Sequence, residues 1–221
     1  MKKQFLVVGL GRFGSSMTRT LVQNGHEVLA VDKDPELVQD IAPYATHALQ
    51  ADCTDELVLK EIGVSNFTHA IVAIGDDLQA SILATLMLKE MNLPNVIAKA
   101  RDEMHGNVLR KIGADKIIYP ERDMAVRLAN QLSSNSIIDY IELSEEYNIV
   151  EMLAPPAMSG LSLQKLDIRA RFGCTILAIK TEHRMNVSPR AEDIIQAGNA
   201  LLIIGSHEQI SQLEKYYERK K

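Results

Sequence analysis

The chain has 221 residues, 46% hydrophobic and 24% charged, with a formal net charge of −5 at pH 7. That length allows one large domain or a domain of about 140 residues with a smaller companion, and the composition is that of a globular chain with a proper core. The acidic balance excludes a general nucleic-acid binder, which needs a basic surface to neutralise phosphates; only Arg219, Lys220 and Lys221 are locally basic, and they read as a solvated tail.

The N-terminal run MKKQFLVVGLG has the outline of a signal peptide, but glycines interrupt it and it feeds a structural motif, so it reads as a strand. No window approaches the ~18 apolar residues of a membrane span, so a membrane connection is expected to pass through a partner protein. Cys53, Cys174 and the six histidines show no metal-ligand spacing, and the cysteines read as small buried hydrophobes of a reducing cytosol.

Apolar runs FLVVG, VLAVD, THALQA, HAIVAIG, VIAKA and KIIYP alternate with amphipathic stretches from residue 4 to residue 132. Near-continuous apolar strands between helices predict a parallel sheet covered on both faces, in a doubly wound, Rossmann-type order. The fourth helix, ASILATLMLKEM, carries Ile82, Leu83, Leu86, Met87 and Met91 on one wide stripe, broadened by Ala84 and Leu88. Such width fits burial on a second side by another subunit, or a helix deep in its own domain. SSNS then reads as a connector, and the nucleotide-binding domain is predicted over residues 1–133.

Residues 134–221 are predicted to form a small α+β unit. IIDYIEL and NIVEMLA read as strands closed by Pro155 and Pro156, followed by one short helix LSLQKLDIRA, a strand CTILAIK, DIIQAGNALLIIG and a last helix. Ser206 with Gln209 is a capping-box signature for that last helix. A unit this small is expected to dimerise.

The loop GLGRFGSS, residues 9–16, follows the first strand and opens a helix, with Asp32 ending the second strand. This is the dinucleotide fingerprint: Gly9 permits the tight turn, Gly11 lets the backbone approach a pyrophosphate, and Gly14 allows close packing of helix on strand. Asp32 would accept from both ribose hydroxyls and repel a 2′-phosphate, disfavouring NADP. Arg12 suggests a further anionic group, such as a nucleotide's terminal phosphate, although an exposed solubilising arginine is the alternative.

Ligands of such sheets bind outside the carboxyl ends of the strands. Those ends supply Asp32 with Lys33, Asp52 with Cys53, Ala73, Ile74 and Gly75, Lys99 and Arg101, and Glu121; together with Gly9, Gly11, Arg12, Phe13 and Gly14 all but Glu121 form the expected nucleotide site. Asp52 suits an adenine amino group or serves as the cap of the next helix. Glu121 follows Pro120 at a helix start, where the dipole favours a carboxylate. In a 3-2-1-4-5-6 order it lies three strands from the phosphate loop, roughly 14 Å at about 4.8 Å per strand. It is therefore expected to reach a phosphate site in a neighbouring subunit, through a bridging divalent cation.

The segments GLGRFGSSMTRTLVQNGHEVLAVDKD, YATHALQADCTDE, IVAIGDDLQASILATLMLKE and RKIGADKIIYPERDMAVRLA resemble the RCK, or KTN, domain of the cytosolic regulatory subunits of Ktr potassium-uptake systems. DIRARFGCTILAIK and NVSPRAEDIIQAGNALLIIG are similar to the C-terminal RCK domain of the same subunits. The resemblance spans essentially the whole chain. It implies a non-enzymatic gating subunit, a homodimer assembling into an octameric ring, cytoplasmic and held at the inner face of the membrane by a potassium transporter subunit. It implies activation by ATP over ADP, binding of NAD(H) by the same fold, and a magnesium or calcium ion at Glu121. It also implies inhibition by cyclic di-AMP between two subunits, with Leu163, Asp167, Ile168, Arg169, Ala170 and Pro189 matching the pocket and Arg169 facing phosphate. Gln164 stands where some relatives have an apolar residue.

The rival class is an NAD-dependent dehydrogenase or an NAD(H)-sensing Rossmann protein. A dehydrogenase needs a proton donor beside the nicotinamide, and the C-terminal residues offer His183, in a polar turn, and His207, at a helix start.

Overall fold

The computed structural model describes residues 2–133, 136–144 and 146–218. Ser134 and Asn135 of the expected connector, and the basic tail Arg219 to Lys221, lie outside these. The chain divides into two compact units, Met1–Glu121 and Arg122–Lys221. The division falls after Glu121 rather than after residue 133.

The first unit runs β1 (Gln4–Val8), α1 (Arg12–Gln23), β2 (Glu27–Asp32), α2 (Pro35–Ile41), β3 (His47–Gln50), α3 (Glu56–Ile62), β4 (His69–Val72), α4 (Leu78–Glu90), β5 (Val96–Lys99), α5 (Glu103–Lys111) and β6 (Lys116–Ile118). Its six strands are parallel in the order β3-β2-β1-β4-β5-β6, the doubly wound arrangement. The apolar runs are continuous because both faces are covered. In β1, Leu6 and Val8 enter one core with Val31, Val72 and Leu88, whereas Phe5 and Val7 enter the other with Val28, Ala30 and Ile71.

Four helices of this unit start with an aspartate. Asp34, Asp55, Asp77 and Asp102 each accept a hydrogen bond from a backbone N–H in the first turn, at 2.8 to 2.9 Å, satisfying donors that have no partner within the helix. The cap of α3 is thus Asp55 and not Asp52. In α4 the fully buried residues are Ser81, Ala84, Thr85 and Leu88. Ile82, Met87 and Met91 are half-buried against the core, so the buried stripe is rotated from the expected one and carries small polar residues.

Helix α6 (Pro120–Ser133) crosses the boundary, and none of its described residues is buried. In the second unit the guanidinium of Arg127 donates to both carboxylate oxygens of Asp139 at 2.7 Å, and Gln131 donates to the carbonyl of Ile138 at 2.8 Å. The unit continues with β7 (Ile137–Glu142), β8 (Tyr147–Leu153), α7 (Leu163–Leu166), α8 (Ile168–Phe172), β9 (Thr175–Lys180), β10 (Met185–Asn186), β11 (Ala200–Ser206) and α9 (His207–Glu218). Its sheet is antiparallel in the order β10-β9-β11-β8-β7. Val150, Met152, Leu201 and Ile203 on one face pack with Leu166, Ile210 and Leu213 of the helices.

Two local readings change here. LSLQKLDIRA is two short helices, because Asp167 between them adopts the left-handed conformation, φ 46° and ψ 43°, which aspartate tolerates better than most residues. In DIIQAGNALLIIG only the end is strand, from Ala200; Ile194 makes an isolated bridge with Ser162. The expected capping box of α9 is present: Ser206 N–H donates to Gln209 Oε1 at 2.9 Å, and Gln209 N–H to Ser206 Oγ at 3.3 Å.

Candidate functional site

A cavity of about 340 Å³ opens at the carboxyl ends of the parallel strands. Gly9, Gly11, Asp32, Lys33, Asp52, Cys53, Ala73, Ile74 and Gly75 line it as expected, joined by Val8, Val31, Leu37, Ala51, Thr54, Asp76, Asp77 and Ala80. Asp76 and Asp77 directly follow Gly75; carrying the reading of the fourth strand's end two residues further finds them.

The three loop glycines do different work. Gly9 has φ 92°, and a Cβ there would lie 3.0 Å from the backbone of Ala73 and Ile74. A Cβ on Gly14 would overlap the carbonyl oxygen of Gly9, so helix and strand touch there through backbone. Gly11 is under neither constraint: its φ is −61°, and a Cβ would meet nothing within 4 Å. That Cβ would stand in open space beside the cavity that Gly11 lines. Gly11 is also the N-cap of α1 and brings no side-chain cap, unlike the four aspartate-capped helices, so the first N–H groups of α1 stay available to an anion. These features fit a nucleotide's phosphates.

Asp32 is partly engaged already. Its Oδ2 accepts from the N–H of Leu10 at 2.6 Å and its Oδ1 from that of Asp34 at 2.9 Å. The carboxylate thus holds the glycine loop against β2 and keeps lone pairs for a ribose hydroxyl. Asp52 accepts from the Thr54 N–H at 2.9 Å and hydroxyl at 2.7 Å, which hold its carboxyl below the usual range. Burial pushes the Cys53 thiol up to about 12, leaving it a protonated, inert wall of the cavity. Lys33 stands 3.5 Å from Asp77.

Cations gather beyond Gly75. The ammonium of Lys99 lies 2.7 Å from Glu121 Oε1, and Lys99 is the more buried partner, its side chain 13% exposed against 70%. Lys99, and more weakly Arg12, lower the Glu121 carboxyl below its ordinary value. Arg12 acts on Glu121 only as a weak charge felt through space, and the side chain that Glu121 contacts is Lys99, on the neighbouring strand β5. Arg12 is the exposed first residue of α1, and Arg12, Phe13, Gly14, Lys99 and Arg101 stand outside the cavity lining. Arg101 pairs with adjacent Asp102 at 3.3 Å.

A divalent cation needs several oxygen ligands. Glu121 supplies one carboxylate, already paired, and among the described residues no three His, Cys, Asp or Glu side chains come together. One chain's residues do not by themselves fit the cation.

In the second unit a cavity of about 140 Å³ is lined by Leu163, Asp167, Ile168, Arg169, Cys174, Thr175 and Ile176. Four of the six residues singled out in sequence meet here, on the two short helices; Ala170 and Pro189 do not line it. Cys174, Thr175 and Ile176, at the start of β9, were missed because nothing in the sequence shows that this strand faces the broken helix. His183 is exposed at 92%, and His207 lies 2.7 Å from the hydroxyl of Tyr140, so neither is a buried donor awaiting a substrate. Among the described residues no helix is long and apolar enough to cross a membrane.

Residues 5–120 match the TrkA-N domain and residues 149–217 the TrkA-C domain. The chain is 49% identical over 215 residues to the Ktr system potassium uptake protein C of Bacillus subtilis, covering 97% of each. It is 50% identical over 212 residues to the Ktr system potassium uptake protein A of the same organism, covering 96% of each. Among solved structures, the GsuK RCK domain superposes with a TM-score of 0.70 at 18% identity, over 98% of this chain and 48% of that one, and the GsuK channel bound to NAD with 0.67. The chain thus spans about half or less of those solved chains, and the likeness supports the fold. With both domains matched and near-complete alignment to these relatives, the chain belongs to the family of Ktr system potassium uptake proteins.

Proposed function

We propose that the chain is the regulatory subunit of a membrane potassium transporter, with no catalytic step of its own, working in the cytoplasm at the inner face of the membrane. The first unit takes ATP or ADP, with NAD(H) as a further ligand of the same cavity. The observation that carries this reading is Gly11, a glycine that backbone and packing do not require, beside an uncapped helix N-terminus. The four aspartates Asp32, Asp52, Asp76 and Asp77 in the cavity repel phosphate and accept from hydroxyl and amino groups. They direct the nucleoside inward and the phosphates toward α1, Arg12 and Lys99.

A ligand shifts a two-state assembly only through its different affinities for the two states. A terminal phosphate reached by Arg12 in one state supplies that difference, each charge-assisted contact contributing about 1.5–3 kcal/mol. In a homodimer, or in an octameric ring of such dimers, equal contributions from identical sites add when the subunits move together. ATP then favours the conducting state and ADP does not. A magnesium or calcium ion at Glu121 would draw its other ligands from phosphate oxygens and a second copy of the chain. The second unit's cavity takes cyclic di-AMP, with Arg169 on a phosphate, as the inhibiting ligand.

Calorimetry on wild type and Arg12→Ala tests the activating half. The variant is expected to keep adenine-nucleotide binding and lose most of its preference for ATP over ADP; an unchanged preference would refute the assigned role of Arg12.

A further inference from the structure

We propose that Ser15 is the positioning residue of the phosphate loop: its hydroxyl fixes the peptide between Leu10 and Gly11 so that the Gly11 N–H is held ready for a phosphate. This role rests on the nucleotide reading above and adds to it a residue that lies outside the cavity lining.

Two consecutive peptides of the loop are held by two different side chains. The peptide from Gly9 to Leu10 is held by Asp32, whose Oδ2 accepts from the Leu10 N–H at 2.6 Å. That bond leaves the next peptide free. The Leu10–Gly11 peptide is held by Ser15, whose hydroxyl donates to the Leu10 carbonyl oxygen at 2.6 Å. In a planar trans peptide the C=O and the following N–H point in opposite directions. A Leu10 carbonyl drawn toward the first turn of α1 therefore sends the Gly11 N–H out on the other side. The backbone of Ser15 does the same one peptide later, its N–H donating to the Gly11 carbonyl at 2.9 Å and so turning the Arg12 N–H outward. The N–H groups of Gly11, Arg12 and Phe13 have no partner among the described residues.

The backbone bond belongs to any α-helix, whereas the side-chain bond needs a hydroxyl at this position. Gly11 explains the need. Glycine adopts positive and negative φ about equally, so turning the Leu10–Gly11 peptide, which changes ψ of Leu10 and φ of Gly11, meets little resistance from the chain. A carbonyl of the buried Leu10 without a donor would turn to find one. The Ser15 hydroxyl selects one of the two orientations and holds it before any ligand arrives.

The test is calorimetry of ATP, with magnesium, and of adenosine on the full chain, wild type and Ser15→Ala, alongside thermal unfolding without ligand. Apparent affinity falls in proportion to the fraction of molecules already in the binding geometry. With the peptide in that orientation about a tenth to a third of the time, Ser15→Ala is expected to bind ATP roughly three- to tenfold more weakly than wild type. Adenosine brings no phosphate to the loop and is expected to bind both proteins equally. Unchanged ATP affinity overturns the role of Ser15. A parallel loss for ATP and adenosine also overturns it, since the hydroxyl would then support the cavity as a whole. Should Ser15→Ala not fold, Ser15→Cys, of similar size and with only a weak donor, is read by the same titrations. Wild type that fails to bind ATP removes the nucleotide reading and the role of Ser15 together, whereas wild-type binding with no loss in the variant removes the role of Ser15 alone.

Discussion

The first unit's cavity has Gly9, Gly11 and Gly75 among its lining residues, in the glycine loop and at a strand end. The second unit's cavity has no glycine in its lining and lies between two helices of four and five residues, with a left-handed Asp167 between them, and the start of β9. A loop shaped by close backbone contact does not tolerate a side chain at its glycines. In the second cavity, truncation of a lining side chain is expected to keep the fold and weaken the ligand instead.

The largest effect separating the two is expected at Gly14. Its Cβ would overlap the carbonyl of Gly9, and backbone there cannot swing aside as a side chain can. Gly14→Ala is expected to destabilise the first unit by about 3 kcal/mol in chemical denaturation. A change under about 1 kcal/mol would mean that helix and strand do not meet through backbone at this point.

A smaller and more local effect is expected at Arg169. Arg169→Ala should weaken cyclic di-AMP binding at least about tenfold, through loss of one charge-assisted contact, without altering ATP binding. Cyclic dinucleotide bound at wild-type strength by this variant would remove the second cavity from the account; loss of ATP binding would mean that the two sites are not separable.

The same contrast explains what the sequence could tell. Gly9, Gly14 and the alternating strands were legible because sterics tie each to one geometry: a positive φ, a backbone contact, two covered sheet faces. Asp32 was legible as a site residue, but its hold on the Leu10 N–H was not, since that depends on how the loop curls back. Asp52 was read as a possible cap, and Asp55 took the role; both begin an Asp-Xaa-Xaa segment, and only the observed helix start distinguishes them. The Lys99–Glu121 pair joins the ends of the neighbouring strands β5 and β6, and it was missed because each strand end was weighed against the phosphate loop and not against its neighbour. Leu163, Asp167, Ile168 and Arg169 of the second cavity came from resemblance. Composition and spacing gave no sign that Asp167 would break the helix or that β9 would face it.

The most direct measurement is a calorimetric titration of ATP into Gly11→Ala, matched to its thermal unfolding without ligand. At this position the lower entropy of the unfolded alanine chain offsets its poorer helix capping, so stability should stay within about 1 kcal/mol of wild type. ATP affinity should fall at least about tenfold, because the added methyl stands where the phosphate comes in. Undiminished ATP binding by a normally stable Gly11→Ala would contradict the account, since the space beside Gly11 would then not be where the nucleotide sits.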